Sequence, residues 1–306
     1  MDKQPLSSEE QHVLRERFLL LSTGMDPQPT GVDPRLDPIS GIRFVIFDFY
    51  GTLFISGVGD IGIEEETGGR VPFQLALAAC GTTAGPATAV KGIKLFKESV
   101  KKHRERLRNE GIEEPEPPIA EIWMEVLKHL CRQGRITLEP TPRLARRFAV
   151  EFEARINPVW PMPGLHRLFY ELTDKEVELG IISNSQFYTP LAFEALTKAS
   201  LSGLGFNEHL LHWSYLEKCK KPSTLFYERF LDKLEHAFPD ADPGQVLYLG
   251  NDMLKDIWPA SQVGMKTGLF AGDARSLRWR RDDERCRYLS PDLVITHWDQ
   301  LPDLLE

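Results

Sequence analysis

Asp48 closes the apolar run Phe44-Val45-Ile46-Phe47 and is followed by Phe49-Tyr50-Gly51-Thr52-Leu53-Phe54. A carboxylate at a strand end, released from packing by a glycine, can attack an electrophile and split a difficult hydrolysis into two displacements. Two more apolar runs end in polar groups. Leu179-Gly180-Ile181-Ile182 leads to Ser183-Asn184, and Val246-Leu247-Tyr248-Leu249 leads to Gly250-Asn251-Asp252, with Asp256 four residues on. Lys221-Pro222 lies between them. The Ser183 hydroxyl can donate to a transferring group, and the Lys221 ammonium can position Asp48 and offset the charge of a substrate anion. Asp252 and Asp256 would crowd acidic charge onto the edge that holds Asp48. A hard, oxygen-preferring cation such as Mg2+ is the natural counter-ion there. Each residue also has a plain structural reading. Asp48 could be a turn carboxylate, Ser183 a cap, Lys221 an exposed lysine and Asn251 a turn residue. Asp252 and Asp256 could belong to an ordinary solvated first turn of a helix.

These groups can act together only if the chain brings them to one place. Continuous β-rich runs without alternation are the pattern of strands buried on both faces of a parallel sheet. Helical patterns intervene at 163–175, 187–198 and 223–238. The alternation predicts an α/β doubly wound, Rossmann-like core, whose ligands bind beyond the carboxyl ends of the strands. Between the first and second runs the pattern is helical at 89–109, 120–132 and 143–156. That predicts a helical cap over 55–159, inserted into a core made of 41–54 and 160–306. Residues 1–40 form an N-terminal extension. Ser7 and Glu10 have capping-box spacing for a helix over 7–22, and Pro27, Pro29, Pro34 and Pro38 mark a linker. Packing on the core and self-association both remain open for it.

The string FVIFDFYGTLF resembles the first motif of the haloacid dehalogenase (HAD) superfamily: an apolar strand, a nucleophilic Asp, then x-x-G-T-[LV]. Ser183-Asn184 resembles the second motif, Lys221-Pro222 the third, and Gly250-Asn251-Asp252 with Asp256 the fourth. Asp292 to Ile295 and Leu301-Pro302 are similar to the closing strand and helix, so the likeness spans about 42 to 305. The resemblance implies a hydrolase with Asp48 as covalent nucleophile, and Tyr50, Thr52, Ser183, Asn184 and Lys221 around it. It also implies a Mg2+ site built from Asp48, the Tyr50 backbone carbonyl, Asp252 and Asp256. Gly51 and Asn251 would line the substrate position.

Two departures bear on the reaction. Most phosphatases of this superfamily carry a second Asp two residues after the nucleophile, to protonate the leaving alkoxide; here Tyr50 stands there. A phenol of ordinary pKa near ~10 is a poor proton shuttle at neutral pH. D-x-Y-G-T-L is also what the 2-haloacid dehalogenases carry, and halide departs without a proton. Against that, Asp252 and Asp256 look like a retained metal site, although Asn251 takes the place of the first consensus acid. Asp252 is the expected direct ligand, with Asp256 direct or acting through water. The expected activity is Mg2+-dependent hydrolysis of a small phosphorylated metabolite. The alternatives are 2-haloacid dehalogenation and an inactive HAD-like binding protein, which trapping with beryllofluoride would discriminate.

Composition bounds the remaining classes. Over 306 residues the net charge is -8, which argues against nucleic acid as an obligatory partner. The expected partner is a small, anionic molecule. No apolar stretch nears the ~20 residues of a membrane span, and the four scattered cysteines suggest no disulfide framework. The expected location is the cytoplasm. His209 and His212 lie at an odd offset, which on a strand sends them to opposite faces. The arginines between Arg275 and Arg287, interrupted by Asp282, Asp283 and Glu284, suit a solvated loop from which one could reach the crevice edge. Lys91, Lys94, Lys97, Lys101 and Lys102 suit the wet face of a cap helix, and Trp160 and Trp213 suit the core.

Overall fold

A computed structural model describes residues 6–58 and 69–306. The first element is helix α1 (Ser8–Leu21), begun by Ser7, whose Oγ accepts from the Glu10 N–H at 3.2 Å. Strands β1 (Phe44–Phe47) and β2 (Phe54–Ser56) follow. Helices α2 (Arg70–Ala79), α3 (Pro86–Asn109), α4 (Ile119–Arg132) and α5 (Pro142–Ile156) make up the inserted cap, and β3 (Val159–Pro161) returns from it. The core continues with α6 (Leu165–Asp174), β4 (Glu178–Ser183), α7 (Thr189–Thr197), β5 (Phe206–Trp213), α8 (Ser214–Glu217) and α9 (Thr224–Ala237). It closes with β6 (Val246–Gly250), α10 (Trp258–Gln262), β7 (Lys266–Phe270) and β8 (Leu293–Ile295). The expected cap range includes 59–68, and the expected N-terminal extension includes 1–5; both segments lie outside the described residues.

Six strands form one sheet in the order β5-β4-β1-β6-β7-β8, every neighbouring pair parallel. β1 lies in the middle, so its carboxyl end opens between β4 and β6, where a doubly wound sheet offers its crevice. The apolar runs lack alternation because both faces are covered. Val45 and Phe47 pack in one core with Leu165, Phe169 and Trp298, while Phe44 and Ile46 pack in another with Phe226, Phe230 and Tyr248. β2 and β3 pair antiparallel, Phe54 against Pro161, and form the two-stranded neck through which the chain leaves and re-enters the core.

The cap has its own aromatic centre. Phe96 stacks on Trp123 at 4.2 Å between ring centroids, and Phe148 and Phe152 meet Trp123 edge-on at 4.8 and 4.9 Å. The segment between α3 and α4 reaches down to the core. The Glu116 N–H donates to the Lys218 carbonyl and the Lys220 N–H to the Glu114 carbonyl, both at 2.9 Å. Glu116 is buried there, accepting from Gln186 Nε2 at 3.0 Å, and burial raises its pKa.

The N-terminal extension packs on its own chain. α1 lies against α5 of the cap and α7 of the core. The linker bonds to the loop after β7, with Gln28 N–H to Asp273 and Thr30 Oγ1 to the Ala271 carbonyl. Arg35 and Val294 then exchange backbone hydrogen bonds, which covers the open edge of β8. Among the described residues, no helix is long and apolar enough to cross a membrane.

Candidate active site

Asp48 leaves β1 with its N–H on the Leu249 carbonyl at 2.8 Å, so its backbone is fixed by the neighbouring strand. The chain then turns sharply: Gly51 N–H donates to the Phe54 carbonyl at 2.6 Å. Gly51 has φ +81°, and a Cβ there would sit 2.5 Å from Ser276 Cβ. Only glycine fits both demands.

Lys221, reached from β5 through the loop before α9, is buried against Asp48. Its ammonium lies 2.7 Å from Asp48 Oδ1 and 2.5 Å from Asp256 Oδ1, and donates to the Tyr248 hydroxyl at 3.2 Å. Three donors meet three acceptors, which satisfies the ammonium. Asn184 holds the lysine backbone from both sides, its Oδ1 accepting from the Lys221 N–H at 2.8 Å and its Nδ2 donating to the Lys221 carbonyl at 3.3 Å. Burial works to lower the Lys221 pKa, but Asp256 and Asp48 outweigh it and the pKa is raised. Burial pushes Asp48 up to about 6, against the pull of Lys221 and with the push of Asp256. Ser183, fully buried at the end of β4, donates to the Asn184 carbonyl at 3.2 Å, and its hydroxyl near Asp48 favours the ionised form of that acid.

The fourth-motif acids are engaged within the protein. Asp256 Oδ2 accepts the Asn251 and Asp252 N–H groups at 3.0 and 2.9 Å, while Oδ1 faces Lys221 and Tyr248. Its carboxyl lies flat on Gly250, where a Cβ would be 2.3 Å from Asp256 Cγ. Asp252 caps the π-helical turn Met253–Ile257, Oδ1 accepting from Leu254 and Lys255 N–H at 2.9 and 3.2 Å. Arg280 grips the same carboxylate, Nη2 on Oδ2 at 2.6 Å and Nε 3.1 Å from each oxygen. The Asn251 side chain is spent on Thr52 Oγ1 at 3.0 Å and on the Ser276 carbonyl at 2.6 Å.

The structure therefore brings Asp48, Ser183, Asn184, Lys221, Asn251, Asp252 and Asp256 to one crevice, with Thr52 and Gly51 at its wall. A cavity of about 20 Å3 lies among Asp48, Tyr50, Asn184, Lys221, Asn251, Asp252, Lys255 and Asp256. That is room for one water-sized species.

Tyr50 is not placed as a proton donor to the crevice: its hydroxyl lies 2.9 Å from Thr189 Oγ1, and burial, with Glu153 nearby, raises its pKa. The residues assigned to Mg2+ do not fit that ion either. Mg2+ demands near-octahedral oxygen ligands at ~2.0–2.1 Å, whereas Asp252 is gripped by a guanidinium and Asp256 by an ammonium and two N–H groups. Among the described residues, no group of three or more His, Cys, Asp or Glu side chains is set to hold a metal.

One contributor escaped the sequence reading, and Arg280 was read only as one of several arginines that could reach the crevice edge. Tyr248 is a phenol in an otherwise aliphatic strand; its hydroxyl is 3.0 Å from the Ile182 carbonyl and from Asp256 Oδ1, bridging β4 to the acid. A buried Tyr needs such a partner, so its presence in the run was the available signal. Arg280 comes from the stretch read as a solvated loop. His212 is buried and neutral, with Nε2 2.8 Å from the Phe226 carbonyl and Nδ1 3.1 Å from Lys233 Nζ. Burial, with Lys233 beside it, holds its pKa down at about 3, and His209 faces away into solvent.

Comparison with protein families and with curated proteins finds no match. Among solved structures, a 2-haloacid dehalogenase from Pseudomonas syringae pv. Tomato DC3000 is similar, with a TM-score of 0.53 and 22% identity. The match covers 86% of this chain and 97% of that one. An L-2-haloacid dehalogenase is similar with a TM-score of 0.50 and 18% identity, over 86% of this chain and 97% of its own. Taken with the parallel sheet order and the helical insertion after β1, these likenesses show that the chain has the haloacid dehalogenase-like fold.

Proposed function

We propose that the protein is a hydrolase that forms an ester on Asp48 by displacing a leaving group that departs as an anion, as a 2-haloacid dehalogenase does. The observation that carries this reading is the pairing inside the crevice. Lys221 and Arg280 already neutralise the acids around Asp48, and the Tyr50 hydroxyl is turned to Thr189. A phosphate ester dianion would set anion against anion at the reacting atoms with no metal ligand set to relieve it. Its alkoxide would also lack the proton that a positioned acid supplies, typically worth about 10²–10⁴ in rate. A 2-haloacid carries a single negative charge, on the carboxylate next to the reacting carbon, and its halide departs without a proton.

In the first step an Asp48 oxygen bonds to the substrate carbon, and the carbon–halogen bond breaks with its electron pair leaving as halide. Water then adds to the Asp48 carboxyl carbon. The acyl–oxygen bond breaks, the 2-hydroxy acid departs and a proton is released, so the aspartate is restored. Lys221 holds the attacking oxygen. The two similar solved structures are of a 2-haloacid dehalogenase and an L-2-haloacid dehalogenase, which supports this reading.

The test is halide release from short 2-haloacids in EDTA, followed by mass spectrometry for an alkyl ester on the Asp48 peptide. Asp48→Asn must abolish both. Phosphate release from an aryl phosphate that requires Mg2+, with no halide release, would reverse the assignment in favour of phosphoryl transfer. Neither product, with no beryllofluoride trapped on Asp48, would favour a binding protein.

A further inference from the structure

We propose that Arg280 is the resident counter-cation of this site, its guanidinium holding at Asp252 the place that a divalent ion would otherwise take. The inference concerns what balances the charge of the crevice, and it stands whichever leaving group Asp48 displaces.

Three carboxylates, Asp48, Asp252 and Asp256, are each nearly buried within one crevice. Buried carboxylates of this kind require a cation or a proton. Lys221 serves Asp48 and Asp256, which leaves Asp252 to Arg280. The contact is a fork, with Nε and Nη2 both on the carboxylate, and such geometry specifies arginine over lysine.

The loop that delivers the arginine is built for it. The Arg278 N–H donates to the Asn251 carbonyl and the Met253 N–H to the Arg278 carbonyl, both at 2.9 Å, so the loop runs as a bridge beside Asp252. Asn251 fixes it again through the Ser276 carbonyl. Arg280 itself has φ +50°, a left-handed backbone that disfavours a side-chain-bearing residue and persists only where its surroundings impose it. A helix-capping role alone would account for the Leu254 and Lys255 bonds of Asp252. It would not account for a two-pronged arginine from 28 residues away. A divalent ion entering here would meet the guanidinium at close range and compete with it for the same two oxygens.

The experiment uses the full chain and Mn2+ as probe, read by electron paramagnetic resonance and by thermal shift, with no substrate present. The unaltered chain should show no saturable Mn2+ binding at millimolar metal. Arg280→Met should acquire one Mn2+ bound at least about tenfold more tightly, since removing a nearby unit charge in a partly buried site has an effect of that order. Adding Asp252→Asn to that variant should remove it. Arg280→Gln, which keeps a donor for Asp252, carries the same test if the Met variant fails to melt cooperatively. Saturable Mn2+ binding to the unaltered chain that Asp252→Asn abolishes would overturn the proposal. So would a folded Arg280 variant that gains no Mn2+.

Discussion

The Lys221 ammonium lies 2.7 Å from the Asp48 carboxylate, and both groups are almost fully buried. An ion pair out of water is held by geometry, and removing one partner leaves an uncompensated charge. Lys221→Met should therefore cost about 3–5 kcal/mol of stability, the usual size for breaking a buried pair. It should also raise the Asp48 pKa further, because the lysine is what opposes burial and Asp256 there. The check is the pH profile of halide release: its acidic limb should move to higher pH. A lower rate with an unmoved limb would leave Lys221 a structural role only.

Asp48 itself sets a pH dependence of opposite sign for activity and for stability. Only the ionised carboxylate attacks, so the rate should rise with pH through about 6, where Asp48 titrates among Lys221, Asp256 and Ser183. The folded pKa is raised above the ordinary 3.8. Between those values the folded protein keeps a proton that the unfolded chain has released, so this group's contribution to stability falls as pH rises through that window. Above about 6 the loss is complete, on the order of 3 kcal/mol for a shift of this size. The melting temperature of Asp48→Asn, taken relative to the unaltered chain, should therefore shift upward between pH 4 and pH 7.5. A difference that does not change with pH would contradict the raised pKa.

The strands and most helices were legible because their physics is local. β1, β4 and β6 show unbroken apolar runs since both sheet faces are covered, and α9 shows helical spacing since only one face is. Asp48, Ser183 and Gly250 could be placed together from the rule that parallel strands end at one crevice. The pairing of Asp252 with Arg280 was not legible. Both lie in charge-mixed segments without periodicity, and their contact depends on how the loop after β7 folds back over the turn after β6. The DxxxD spacing was equally consistent with a metal site and with what the structure has, a helix cap and a lysine anchor. The neck of β2 and β3 was hidden for another reason: its two short strands are separated in sequence by the whole cap.

Tyr50 offers a direct discrimination between the chemistries. Its hydroxyl meets Thr189, so Tyr50→Phe removes one buried hydrogen bond and nothing from the reacting atoms. The expected cost is about 1 kcal/mol in stability, with a rate within about threefold of the unaltered protein. A general acid in that position would instead lose about 10²–10⁴. Measured kcat on a 2-haloacid and on an alkyl phosphate decides between them, and a drop of the larger size on the phosphate alone would give Tyr50 a proton-transfer role.

Opening of the cap is the last step that the fold constrains. The crevice as it stands has room for one water-sized species, about 20 Å3, and movement of the cap on its neck of β2 and β3 is the expected way of widening it for a haloacid. α1 spans that boundary. On the cap side Arg146 forks onto Glu10 at 2.7 and 2.8 Å and Arg17 meets Glu151 at 2.5 Å; on the core side Arg15 pairs with Glu194. Leu14 and Phe18 are buried along the helix, and the Phe18 ring lies 6.3 Å from that of Tyr188. Opening must therefore peel α1 from α5 or from α7, and the forked, part-buried pairs with α5 resist the first. Glu10→Gln with Arg17→Gln removes the charges on the cap side while keeping the apolar contacts. The expected result is a stability loss of about 2–3 kcal/mol, below that of a fully buried pair because Arg146 and Arg17 are partly solvated. Hydrogen exchange should quicken in α1 and α5 but not in the strands of the sheet. If opening limits entry, the second-order rate of Asp48 alkylation should rise at the same time. Unchanged exchange in α1 would mean that the salt bridges do not hold the cap.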